Sequence, residues 1–177
     1  MAKKAKAKVK PVNYVFIGLM CVAAVLGLVG LLIATHTLTP AIGETQNFTL
    51  AQLAEAFATK NKVPGADFST TALTLTNVFG WVAVVGALLL VVIEVLNLFG
   101  IKMPSIAKWI LVALTLVCAV GFIVSAATVC VDFHGKKLYD SLVKDGYALK
   151  LAAGSYLAVI GAALVPVFAV AKKMLVK

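Results

Sequence analysis

The chain has 177 residues, of which 62% are hydrophobic and 13% are charged. A soluble domain is usually about 45–50% apolar and about 25% charged, so the excess of apolar residues must face lipid. The net charge of +9 comes entirely from lysine, since the sequence contains no arginine. Arginine is the usual reader of phosphates and bases, and its absence argues against nucleic acid as a partner.

Four apolar runs are long enough to cross about 30 Å of hydrocarbon. The sequence therefore predicts an all-α integral membrane protein, a single bundle of four transmembrane helices. The predicted spans are residues 14–35, 78–99, 108–130 and 149–171. The remaining segments are a tail at 1–13, an outer loop at 36–77, an inner loop at 100–107, an outer loop at 131–148 and a tail at 172–177.

Lysine residues set the predicted orientation. Before the first span, beside the second connection and after the fourth span, lysines occur without acidic residues. In the other two connections, the lysines are mixed with acidic residues and the charges cancel. By the positive-inside rule, both termini should be cytoplasmic and two loops should form a small extracytoplasmic cap. We expect a multi-pass protein of the plasma membrane whose lysines contact anionic lipid of the inner leaflet, at roughly 1 kcal/mol each.

Small side chains recur in steps of three and four along every predicted span. Such spacing keeps them on one helix face, where they let neighbouring helices approach closely. The predicted packing residues are Ala23, Gly27, Gly30, Ala83, Ala87, Gly121, Ser125, Ala158 and Gly161. We call each series a small-residue stripe, and we expect the stripes to form the interior of a tight bundle.

The first outer loop contains the segment TLAQLAEAFATK, which predicts a short amphipathic helix ending near Lys60. Thr49 and Gln52 have capping-box spacing at its start. The residues of its apolar face are Leu50, Leu53 and Phe57. This face could lie on the membrane, cap the bundle or contact a partner protein at the outer surface.

The second span carries a carboxylate, Glu94, and an amide, Asn97, on the same face as its small residues. Ionisable groups inside a membrane are costly and are candidates for function. One hypothesis is a protonatable or cation-coordinating site. The alternatives are a hydrogen bond between helices, pairing with Lys102, Lys108 or Lys172, or contact with the helix of a partner.

The sequence offers little for catalysis or cofactors. His36 and His134 follow the first and third spans and could together hold a metal or haem, although surface histidines are more often without such a role. The three cysteines form no CxxC pair, and no GxSxG, HExxH or phosphate-loop motif occurs. We therefore predict no enzymatic activity, no cofactor and no metal.

Four spans, both termini inside and a longer first outer loop resemble the plan of claudins and MARVEL-type tetraspan proteins. The claudin outer loop carries a tryptophan motif and two cysteines, and residues 36–77 have neither. The resemblance is one of topology over the whole chain, and a shared plan implies no shared function.

These patterns favour a non-enzymatic tetraspan protein that acts through assembly. It would be a structural or accessory subunit, binding copies of itself or another membrane protein through its stripes and outer cap. The alternative is an oligomeric channel or transporter subunit, with the path between protomers and Glu94 near the inner mouth. A third hypothesis is a small redox subunit that uses His36 and His134.

Overall fold

The computed structural model describes residues 11–40, 42–60, 70–135 and 146–175, with the side chains of 56–60, 70 and 135 outside the description. The elements in chain order are α1 Pro11–Leu32, β1 His36–Thr39, β2 Gln46–Phe48, α2 Leu50–Lys60, α3 Thr70–Leu98, α4 Ser105–Gly135, β3 Ala148–Leu151 and α5 Ala153–Leu175. The fold is mostly helical, as predicted, with a small sheet that the sequence did not predict.

Helices α1, α3, α4 and α5 are each long and apolar enough to cross a membrane, with mean hydropathy between 2.0 and 2.8. The chain is therefore an integral multi-pass membrane protein built on four long apolar helices. We call the end that carries the strands the cap. The opposite end, where α1 begins, α5 ends and α3 connects to α4, is called the base.

The helix limits all differ from the predicted spans, most of all at the start of α3 and at the end of α4. Helix α3 begins at Thr70, well before the predicted start at residue 78, and α4 continues to Gly135. Both extensions contain polar residues, so a prediction of spans from hydropathy does not include them. Helix α5 begins only at Ala153, because the preceding residues form a strand instead of the first turn predicted from residue 149.

The cap contains a three-stranded antiparallel sheet with strand order β2-β1-β3. His36 pairs with Phe48 on one side and with Leu151 on the other. Strand β3 therefore ties the segment before α5 to the segment after α1, more than 100 residues away in sequence. Apolar and polar side chains alternate at Leu149, Lys150 and Leu151, which is typical of a strand. The apolar residues that follow continue directly into α5, so hydropathy does not separate the strand from the helix.

Helix α2 begins with the predicted capping box. The backbone N–H of Thr49 donates to Oε1 of Gln52 at 3.0 Å, and the backbone N–H of Gln52 donates to Oγ1 of Thr49 at 3.3 Å. Leu50 and Leu53 are buried in the core of the cap, in one cluster with Phe133. The two leucines expected at an outer partner contact thus face the chain's own core, which favours the capping alternative. The side chain of Phe57 lies outside the description.

Helices α1 and α5 pack backbone against backbone. A methyl group at Gly30 would overlap the backbone of Ala158, and one at Gly161 would overlap the backbone of Gly27. Glycine is needed at these positions because no side chain fits between the two helices. This close approach is the kind of contact that small residues permit in membranes.

Helices α3 and α4 pack through side chains as well as glycines. Gly86 lies against the hydroxyl of Thr115, and Gly121 lies against the ring of Phe79. Hydroxyl groups in this pair are satisfied within their own helix, as where Oγ of Ser125 donates to the carbonyl of Gly121 at 2.8 Å. The predicted packing residues are buried in the structure except for the half-buried Gly121.

Candidate functional site

Glu94 is the most deeply buried charged group among the described residues, with 2% of its side chain exposed. It lies on α3 one turn after Leu90, which is completely buried. The same face of the helix therefore carries both side chains into the bundle. Because an unpaired carboxylate at such a position would cost several kcal/mol, a counter-charge in direct contact is needed.

Two lysines supply that counter-charge. Nζ of Lys108 donates to Oε1 of Glu94, and Nζ of Lys172 donates to Oε2. The lysine side chains are 24% and 13% exposed, so both reach the surface in part while the carboxylate is enclosed. We call Glu94, Lys108 and Lys172 the charge triad.

The triad connects three helices at the base of the bundle. Lys108 comes from the first turns of α4 and Lys172 from the last turns of α5, while Glu94 comes from α3. Pairing with a lysine was one of the alternatives that the sequence left open, and it is the arrangement that the structure shows. Both carboxylate oxygens are engaged by cations of the same chain, with one positive charge in excess.

Asn97 lies one turn beyond Glu94 but belongs to a different environment. It lines a cavity of about 370 Å³, which we call the base cavity. Glu94 lines an adjoining cavity of about 310 Å³ together with Asn13. The two cavities share Lys108 as a lining residue. The predicted pair of polar residues is thus divided between two neighbouring cavities.

A further cation lies at the wall of both cavities. Nζ of Lys173 is 4.8 Å from the ring centroid of Trp109, within the range of a cation–π interaction. The sequence did not predict this contact. One sequence feature pointed to it: the pairs Lys108-Trp109 and Lys172-Lys173 lie at the same predicted membrane surface.

The two histidines lie at the cap and are both engaged with the chain. His36 is fully buried, and its Nε2 lies 3.4 Å from the carbonyl of Ala126, to which it can only donate. Nδ1 then accepts from the hydroxyl of Thr35 at 3.1 Å. Burial lowers the pKa of His36 against the opposing effect of the Ala126 carbonyl, so the neutral form is favoured.

His134 is exposed, and its Nε2 lies 3.4 Å from the carbonyl of Leu149. A metal or haem held by both histidines would have to displace both backbone contacts. Among the residues described, no group of three or more His, Cys, Asp or Glu side chains is placed to hold a metal. The base, with its triad and two cavities, is therefore the better candidate site.

Comparison with known proteins identifies no relative of the chain. No family model, curated protein or solved structure matches the chain. The topological resemblance to claudins and MARVEL-type proteins is therefore not accompanied by a family match.

Proposed function

We propose that the protein is a non-enzymatic structural or accessory subunit of a membrane assembly. The observation that carries this proposal is the closed charge triad. Glu94 is the strongest sequence candidate for ion coupling, and both of its oxygens bind lysines of the same chain. A group so engaged is well placed to hold three helices together and poorly placed to bind a transported cation.

The small-residue stripes are used within the chain, so the contacts with other proteins have to involve different surfaces. Strand β2 lies at an edge of the sheet, and its outward side pairs with no other strand among the described residues. The hairpin between β1 and β2 also presents Ile42, which is 95% exposed. The unpaired edge of a strand is a typical place for pairing with another chain.

We therefore propose that the β1–β2 hairpin of the cap is the assembly contact. It would bind a second copy of the chain or another membrane protein.

The base would face the cytoplasm and the cap would face the outside of the plasma membrane. The support for this orientation is the distribution of lysines, which are unaccompanied by acids at the tails and at the connection between α3 and α4.

Native mass spectrometry of the protein released from lipid nanodiscs tests the proposal. We expect a discrete complex larger than one chain, and we expect Ile42→Asp to convert it to a single chain. Thr45→Asp adds the same charge to the same hairpin without removing an apolar side chain, and it should leave the complex intact. A wild-type protein that is always monomeric and binds no other protein would contradict the assembly role.

The alternative of a channel or transporter subunit is favoured by one observation, the cavity of about 310 Å³ beside Glu94. Conductance across planar bilayers separates the two functions. A current that disappears in Glu94→Gln, with the mass of the complex unchanged, would support the path between protomers. Absence of any current from a complex of defined mass would leave the accessory role.

A further inference from the structure

The base cavity combines an apolar wall with a charged rim. Its apolar lining comes from the connection between α3 and α4, from α4 and from α5, and is formed by Met103, Trp109, Val112, Ala169 and Val170. Its polar lining includes Lys102, Lys108 and Lys173. A volume of about 370 Å³ is within the range of pockets that bind small molecules, and such pockets are mostly apolar with a few placed polar groups.

The charges around the cavities do not balance. Four lysines line the two adjoining cavities, and Glu94 is the single carboxylate among their lining residues. Lys108 and Lys172 bind that carboxylate, which leaves Lys102 and Lys173 without an acidic partner among the described side chains. A net excess of three positive charges at a partly enclosed surface favours an anion.

The start of α4 adds to the same preference. Ser105 is the first residue of this helix, and it lines the base cavity. The first backbone N–H groups of a long helix have no partner within the helix, and they favour negative charge beside them. The lysines, the apolar wall and the helix start thus converge on one space.

We propose that the base cavity binds one anionic phospholipid, with its phosphate between Lys102 and Lys173 and an acyl chain along Trp109 and Val112. The bilayer is the source of this ligand, because Trp109 and Met103 are exposed at the end of the apolar helices, where lipid contacts the protein. Basic pockets between transmembrane helices are a recognised form of lipid recognition. The proposal does not depend on the assembly function.

Retention of lipid by the intact protein provides the test. The full chain is reconstituted in nanodiscs with equal amounts of phosphatidylglycerol and phosphatidylcholine, and the lipids still bound after release are identified by native mass spectrometry. We expect one phosphatidylglycerol per chain and no retained phosphatidylcholine. Equal retention of the two lipids, or retention of neither, would overturn the proposal.

Charge variants locate the binding to this cavity. In Lys102→Gln/Lys173→Gln, neither altered lysine belongs to the charge triad, so the helices remain joined. We expect about fivefold weaker phosphatidylglycerol binding for each lysine removed, or roughly 30-fold for the pair. Lys150→Gln is the matched control, because it removes an exposed lysine from β3 at the cap. An equal loss in that control would overturn the assignment to the base cavity.

The double arginine variant, Lys102→Arg/Lys173→Arg, guards against a merely structural effect. It keeps both charges and should retain the lipid. The Lys102→Gln/Lys173→Gln variant should lose the lipid, although its unfolding temperature should be unchanged. If the arginine pair loses the lipid as the glutamine pair does, charge does not account for the binding and the proposal is wrong.

A soluble competitor distinguishes the two sources of a phosphate group. Glycerol 3-phosphate has the headgroup chemistry without an acyl chain, and we expect it not to displace phosphatidylglycerol at millimolar concentration. Displacement at that concentration would show that the apolar wall contributes nothing. The ligand would then be a free phosphate ester, and the lipid assignment would be overturned.

Discussion

The two ends of the bundle bury polar groups in different ways. At the cap, neutral groups are satisfied by backbone hydrogen bonds: Oγ of Ser155 donates to the carbonyl of Thr35 at 2.7 Å, and the N–H of Gly154 donates to the carbonyl of Ala34 at 3.0 Å. At the base, Glu94 is satisfied by two charged lysines and lines one of two adjoining cavities.

The two ends are therefore stabilised by different kinds of contact. The cap is closed by contacts that place α1 and α5 at a fixed distance, and such contacts depend on shape. The base is held by the charge triad, which joins three helices beside two cavities. These contacts are lost if any one of the three charged groups is removed. Substitutions at the base should therefore act through unpaired charge, and substitutions at the cap through steric overlap or lost hydrogen bonds.

The largest effect is expected for Glu94→Gln. The substitution keeps the size of the side chain but leaves Lys108 and Lys172 close together without their counter-charge. Loss of one partner of a buried ion pair typically costs about 3–5 kcal/mol, and the partial exposure of both lysines favours the lower end, about 3 kcal/mol. Thermal unfolding in a mild detergent measures this effect.

Glu44→Gln is the control for the same chemical change, because Glu44 is exposed in the hairpin of the cap. Its effect should stay within about 0.5 kcal/mol, as for most surface substitutions. Equal stability of the Glu94 and Glu44 variants would show that the triad does not join the helices.

The second largest effect is expected for Gly30→Ala near the cap. Its new methyl group would overlap the backbone of Ala158, and neither backbone can yield without separating α1 from α5. Overpacking of this kind typically costs about 1–3 kcal/mol. The matched control is Gly18→Ala on the same helix, where nothing lies within 4 Å of the added atom. The unfolding temperature should fall for the first variant and not for the second.

A smaller effect is expected for Thr49→Ala at the start of α2. The substitution removes the hydroxyl that accepts from the N–H of Gln52, and loss of such a cap costs about 1 kcal/mol. Thr49→Ser keeps the acceptor and should restore most of the stability. Protection of the α2 amides from hydrogen exchange reports this local change, and equal protection in the alanine and serine variants would contradict the role of the cap.

The smallest effect is expected from pH and His36. The pKa of His36 is lowered in the folded state from about 6.5, so at pH values just below 6.5 the unfolded chain binds more protons than the folded one. Stability should therefore be greatest above pH 6.5 and should decrease as the pH falls below it. Unfolding temperatures at pH 7.5 and 5.5 measure the difference.

Histidine variants assign that pH dependence. His36→Gln should reduce the difference between the two pH values, whereas His134→Gln should preserve it, because His134 is exposed. A wild-type protein that is equally stable at both values would show that burial of His36 has no consequence for folding in this range.

The number of helices, their apolar character and their buried faces followed from the sequence because each depends on local periodicity. Gly27 and Gly161 could be assigned to helix packing from steps of three and four alone. The sheet could not be predicted, because it pairs His36 with Leu151 across most of the chain and its strands have only three or four residues.

The candidate site was found in part. The sequence identified Glu94 as an unusual carboxylate and named Lys108 and Lys172 among its possible partners. It could not show that both lysines bind the same group, since they approach from different helices. Nor could it show the base cavity, because a cavity is a property of the space between segments and not of any one segment.

By itself, the sequence determined that this chain has four long apolar helices, since the hydrophobic effect requires such segments to leave water. It also determined where those helices can approach closely, because glycine and alanine leave room. Only the tertiary structure decided that Glu94 is enclosed by two lysines, that Leu50 and Leu53 close the cap, and that Lys173 lies over Trp109. These arrangements depend on the relative positions of distant segments, which packing determines and local periodicity does not.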